Sequence, residues 1–156
     1  MRYRNAKTIP DLYAVFKTIA PISLFYPNFK NWFWDKVVPG IITGEDEIII
    51  AEDKNELVGI SIIKKTGEKK LRALRINSKF QKTGRGLYLI DESLKRLNTD
   101  KPLVSVPEEM IHDFSRIFIN RYSFDMTYVY KNLYRKNKLE YEFNGKENLN
   151  TKSIYF

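Results

Sequence analysis

The run Ile76-Asn77-Ser78-Lys79-Phe80-Gln81-Lys82-Thr83-Gly84-Arg85-Gly86 joins a strand-like segment to a helical one. Upstream, residues 68–77 alternate with a period of two. That places Leu71, Ala73 and Arg75 on one face and Arg72, Leu74 and Ile76 on the other. Downstream, Leu87, Ile90, Leu94 and Leu97 recur at three- and four-residue spacing, the stripe of an amphipathic helix. The glycines allow a tight turn and let a ligand approach the main chain closely. A helix start offers unpaired N–H groups and a dipole that favours an anion. Lys82 and Arg85 add positive charge. The loop therefore suits a pyrophosphate held by main-chain amides. It lacks the Gly-Lys-Ser/Thr ending of a P-loop and the third glycine of a dinucleotide fingerprint.

Working outward, residues 47–52 and 56–65 read as strands around the turn Asp53-Lys54-Asn55, and Thr66-Gly67 leads into the strand at 68–77. The three form an antiparallel meander. Before it, residues 3–7 suit a short strand, and Ile9-Pro10-Asp11 opens a helix carrying Leu12, Val15, Phe16 and Ile19, ended or kinked by Pro21. A second helix is expected from Asn28 to about Val38, broken by Pro39-Gly40. Its aromatic run, Phe25 to Trp34, reads first as core and second as a wall of a substrate groove. After the loop helix, residues 103–106 make a short buried strand, so a parallel crossover is implied. Pro107 is expected at the next helix start with Glu108 and Glu109 in its first turn. The core stripe there is Met110, Ile111, Phe114, Ile117 and Phe118. Residues 125–134 and Leu139–Phe143 alternate like a closing hairpin. The order is βαα, βββ, αβα, ββ, in one domain spanning residues 1–156.

The chain carries 27 Lys plus Arg against 19 Asp plus Glu, a net charge of +8. It has no cysteine and one histidine. That excludes disulfides, thiolate metal sites, a cysteine nucleophile and multi-histidine metal sites, and no metal is expected. No stretch approaches the ~20 apolar residues that span a bilayer. Lys17 and Pro21 interrupt the N-terminal apolar segment, so no signal peptide is read, and a cytoplasmic protein without membrane partners is expected. The excess positive charge fits either a solvated surface or an anionic partner: a phosphate-rich cofactor, an acidic substrate or nucleic acid.

Gln81, Gly84 and Gly86, five residues beyond the apolar Ile76, match Gln/Arg-x-x-Gly-x-Gly/Ala. This resembles motif A of the GNAT superfamily of acyl-CoA N-acyltransferases. The element order is similar to that family along nearly the whole chain. Arg121-Tyr122-Ser123-Phe124 looks like the family's Lys-x-Gly-Phe ending, with Ser123 in place of glycine. The resemblance implies an α/β (α+β) GNAT fold: a central mixed, mostly antiparallel sheet of six to seven strands, about four flanking helices and a splayed parallel strand pair. It implies acetyl-CoA as cosubstrate. The pantetheine arm would bond to backbone groups around Leu74 and Ile76. The pyrophosphate would lie on the amides of Lys82, Thr83, Gly84, Arg85 and Gly86, with Arg116, Asn120 and Arg121 towards the adenosine. An amine would attack the thioester directly.

The resemblance also directs the search for proton-handling groups. Many members carry a tyrosine acid four residues before the Gly-Phe glycine; here that position is Ile119. Tyr122 is the nearest alternative, with Tyr128, Tyr130 and Tyr134 further off. Glu68, expected to head the motif strand, is a candidate base, against a plain reading as a turn residue paired with Lys69 or Lys70. His112 is the other candidate, against a surface histidine. The implied activity is acetyl transfer to a primary amine of a small molecule or macromolecule, by a monomer or homodimer. Lys131, Arg135, Lys136 and Lys138 at the hairpin favour an acidic or nucleic-acid-borne acceptor. The alternative is a non-catalytic CoA-binding, nucleic-acid-binding or protein-binding module.

Overall fold

The structure, a computed structural model, describes residues 1–146. Strand β1 (Arg2–Asn5) is followed by helix α1 (Ile9–Ile19), which opens on a capping box. Thr8 accepts from the Asp11 N–H, the Asp11 carboxylate accepts from the Thr8 N–H, and Pro10 occupies the first turn. A 3₁₀ segment carrying Pro21, Ala20–Leu24, follows directly.

The second helix does not break at Pro39-Gly40. It runs from α2 (Phe29–Trp32) through a π-helical turn (Phe33–Val37) into α3 (Val38–Thr43). Proline removes one N–H and its ring crowds the carbonyl four residues back. Here the Val38 N–H already reaches five residues back to the Phe33 carbonyl. The π turn opens the helix just where Pro39 needs room, and Gly44, at φ +82°, ends it in the left-handed region. Phe29, Phe33 and Val37 from this stretch are buried, so its aromatic run is core first.

Strands β2 (Asp46–Asp53), β3 (Glu56–Lys64) and β4 (Lys70–Ile76) form the antiparallel meander, with β1 on the outer edge of β2. Strict alternation fails in β4. Ala73 pairs with Ile62 but Leu71 pairs with Ile63, so Arg72 is a bulged extra residue. The bulge moves Leu71 onto the face of Leu74 and Ile76, while Ala73 packs on the other side.

Helix α4 (Arg85–Leu97) leads to β5 (Val104–Pro107). Pro107 ends this strand rather than starting a helix; α5 (Ile111–Ser115) begins later and passes into a π-helical turn, Arg116–Arg121. Glu108 and Glu109 therefore serve other purposes: Glu108 accepts from the Leu139 N–H at 2.7 Å, and Glu109 receives Arg135. Strands β6 (Met126–Lys131) and β7 (Leu139–Phe143) close the chain, with β7 inserted between β5 and β6.

The two sheets meet at one parallel bridge. The Leu71 N–H donates to the Leu103 carbonyl (3.0 Å) and the Leu103 N–H to the Lys69 carbonyl (2.9 Å). Past it, β4 and β5 share no ladder among the described residues, which is the splayed parallel pair. Apolar side chains fill both faces. Leu89, Ile90 and Leu97 of α4 lie on one side with Val104, Val106, Phe118 and Phe143. Val15, Ile19, Phe29 and Phe33 lie on the other with Ile48, Ile50, Ile60 and Ile62. No helix among the described residues is long and apolar enough to cross a membrane.

Candidate active site

The motif strand presents free backbone to the gap. The Asn77 N–H bonds to the Val58 carbonyl at 2.8 Å, and register pairs Arg75 with Ile60 and Ala73 with Ile62. Antiparallel pairs alternate, so the N–H and C=O groups of Leu74 and Ile76 point away from β3, into the gap. The Ile76 carbonyl accepts the Gln81 side-chain amide at 2.9 Å, which closes the loop against the strand end.

At the loop, Lys82 (φ +60°) and Gly84 (φ +84°) are both left-handed. No side chain caps α4. Among the described residues, nothing accepts from the N–H groups of Lys82, Thr83, Gly84, Arg85 or Gly86; the Leu87 N–H returns to the Gly84 carbonyl. Nothing lies within 4 Å of a Cβ built at Gly84, while one at Gly86 would meet Ile76 Cγ1 at 3.4 Å. Five open amides, a helix N-terminus and open space beside Gly84 fit a pyrophosphate. Lys82 is exposed and makes no ion pair among the described residues. Arg85 is engaged: its guanidinium holds Asp53 at 2.9 Å and lies over the Phe80 ring. Asn120 is exposed on the π turn.

The three expected proton-handling residues are not brought together. The motif strand starts at Lys70, so Glu68 does not head it. Glu68 is an exposed turn residue 3.8 Å from Lys70, before the closed end of the gap. His112 is exposed, and its ring faces the Arg116 guanidinium at 3.5 Å. Tyr122 is a strut: its hydroxyl bonds to Asp91 (2.7 Å) and the Leu87 carbonyl (3.2 Å), both on α4. Burial and the Asp91 bond push its pKa up to about 12, so it holds its proton tightly. Ile119 is exposed, with no acid in its place.

The group that sequence reasoning missed is Glu140. Along β7, Tyr141 and Phe143 face the α4 side, so Glu140 and Glu142 face the α1–α3 side, both buried. Tyr26, just past the first helix, donates its hydroxyl to Glu140 at 2.5 Å. The Ser105 hydroxyl on β5 favours the Glu140 carboxylate as well. Tyr130 donates to Glu142 at 3.0 Å. Burial pushes the Glu140 pKa up to about 7, against the pull of the Tyr26 bond and the Ser105 hydroxyl. Leu-Glu-Tyr-Glu-Phe reads locally as a strand with its glutamates in water. The only signal to the contrary is the number of aromatic residues available to cover them.

The hairpin is less basic than its sequence implies. Arg135 grips Glu109 through both nitrogens (2.7 and 2.8 Å), and Lys138 lies 3.7 Å from the same carboxylate. The Arg135 bonds hold the Glu109 pKa down to about 2. Lys131 and Lys136 are exposed.

No protein-family model matches the chain, and no curated protein matches it. Solved structures do. A Desulfovibrio desulfuricans protein described as an acetyltransferase of the GNAT family has a TM-score of 0.70 at 15% identity, covering 91% of this chain and 96% of its own. A chimera of Vibrio cholerae spermidine N-acetyltransferase and hSSAT scores 0.67 at 14% identity, covering 92% and 95%. A GNAT family acetyltransferase from Elizabethkingia anophelis, with acetyl-CoA bound, scores 0.58 at 13% identity, covering 91% and 95%. At these identities the likeness establishes the fold: the chain has the GNAT fold.

Proposed function

We propose that this GNAT-fold chain is an acyl-CoA N-acyltransferase that transfers an acetyl group from acetyl-CoA to a primary amine. The observation that carries the reading is the row of five open amides, Lys82 to Gly86, at the mouth of a gap lined by the outward backbone of Leu74 and Ile76. The amides and the α4 dipole hold the pyrophosphate, and Lys82 screens it. Leu74 and Ile76 offer strand-like hydrogen bonds to an amide-bearing arm, and Gln81 keeps the loop closed on the strand. Acetyl-CoA supplies the activated acyl group. Solved neighbours support this reading, since one holds acetyl-CoA and one is built from a spermidine N-acetyltransferase.

Calorimetric titration with CoA, then thiol release from acetyl-CoA across a panel of amines, tests it. Micromolar to low-millimolar CoA binding is expected, abolished in Gly86→Val with far-UV dichroism unchanged. A valine there would press its methyl groups on Ile76, whose Cγ1 already stands 3.4 Å from the Cβ position, and so displace the loop that carries the amides. Absence of CoA binding by the wild-type protein at millimolar ligand would sink the proposal.

A further inference from the structure

The gap between β4 and β5 runs through the sheet. The pyrophosphate loop lies on its α4 side; the α1–α3 side belongs to other residues. Ser105 stands on β5, the strand bordering the gap, and reaches Glu140 on the neighbouring β7. Tyr26 closes over the pair from the connection between α1 and α2. Glu140 is only 4% exposed, yet no Lys or Arg forms an ion pair with it among the described residues. Arg135, whose charge reaches Glu140, is itself bonded to Glu109. A buried carboxylate without a counter-ion is costly, and an incoming cation relieves that cost.

We infer that Glu140, held by Tyr26 and paired with Pro107 of β5, the strand that borders the gap, receives the ammonium group of the acceptor and takes its proton. This rests on the N-acyltransferase reading and narrows it. The acceptors are cationic amines, not the acidic or nucleic-acid-borne molecules that the net charge suggests. The Glu140 carboxylate accepts one proton from R–NH₃⁺. The freed lone pair forms the N–C bond to the thioester carbonyl carbon. The C–S bond breaks, the sulfur leaves as thiolate and picks up the second N–H proton, and Glu140 returns its proton to solvent. Ammonium plus thioester thus become amide, thiol and one proton. A carboxylate near neutrality is a far better acceptor for that proton than an ordinary one at ~4.3.

The groups facing Glu140 set its titration. Tyr26 bonds to it, and the Ser105 hydroxyl lowers its midpoint. Tyr130 and Pro107 lie opposite on the flanking strands, and Glu142 is next on its own face. The Tyr134 ring packs edge-on against Tyr26, with Arg135 lowering and Glu109 raising the midpoint from the hairpin side.

The test is carbon-13 NMR of protein labelled at glutamate carboxyls, titrated with pH, with Glu140→Gln assigning the resonance. The expected midpoint is near 7. Saturating butylamine, 1,4-diaminobutane or lysine methyl ester should lower it by about one pH unit, because a bound cation favours the carboxylate, and glutarate should not. In Glu140→Gln, affinity for the best of these amines should fall about tenfold. Where that amine is acetylated, kcat/KM should fall about 10²-fold or more and lose its acidic limb. CoA affinity by calorimetry should stay within about twofold. Tyr26→Phe keeps the base and loses one bond to the carboxylate, so its midpoint should rise. An unchanged midpoint with every amine, or full amine affinity in Glu140→Gln, overturns the inference. Loss of CoA binding in wild type overturns instead the reading on which it rests.

Discussion

Glu140 should cost the protein stability at neutral and alkaline pH. Burial raises its carboxyl from the ordinary 4.5 to about 7. Between those values the folded state holds a proton that the unfolded chain has released. The stabilising contribution is therefore complete below about pH 4.5 and is lost as pH rises through about 7. The full difference corresponds to about 3 kcal/mol, and between pH 5 and pH 8 to about 2.5 kcal/mol. Glu140→Gln keeps the shape and an oxygen to accept from Tyr26 but cannot ionise. Urea unfolding of both proteins at pH 5, 6, 7, 8 and 9 isolates the group, because all other titrations cancel in the difference. The variant should gain on the wild type steadily with pH, by about 2.5 kcal/mol from pH 5 to 8. A difference that stays flat within about 0.5 kcal/mol, inside ordinary extrapolation error, would refute the claim that this carboxylate is desolvated without a counter-ion.

Two further outcomes separate structure from chemistry elsewhere. Alanine usually stabilises a helix relative to glycine by ~1 kcal/mol, but Gly40→Ala should lower stability by about 2 kcal/mol or more in denaturant unfolding. Its Cβ would lie 2.0 Å from Asp46 Oδ2, and Asp46 is buried and bonded to Arg72 beside the bulge; a gain in stability would mean that this close approach is not real. Glu68→Gln and His112→Ala should each leave kcat within about twofold for any acceptor found, because both side chains are exposed and one lies before the closed end of the gap; a tenfold drop in kcat for either would return it to the site.

Much of the fold was legible along the chain because its determinants are local. The period of two in β2 to β4, the 3.6-residue stripe of α4, the capping residues before α1 and the glycines before α4 all act within a few residues. The open amides of the loop were legible for the same reason, since they are the main chain's own groups. Where the structure adds to or departs from the local reading, a longer reach is involved. Pro39 looked like a break because the π turn that accommodates it depends on the packing of Phe33 and Val37. Leu71 was assigned to the wrong face because the Arg72 bulge shows only against β3. Glu68, His112 and Tyr122 were chosen by position along the chain; the tertiary structure leaves two in water and ties the third to α4. Glu140 could not be chosen that way. What buries it is β7 sliding between β5 and β6, and what orients it is Tyr26, 114 residues earlier. Net charge likewise belongs to the whole sequence, while the charge presented at any one place belongs to whichever groups the fold leaves unpaired there.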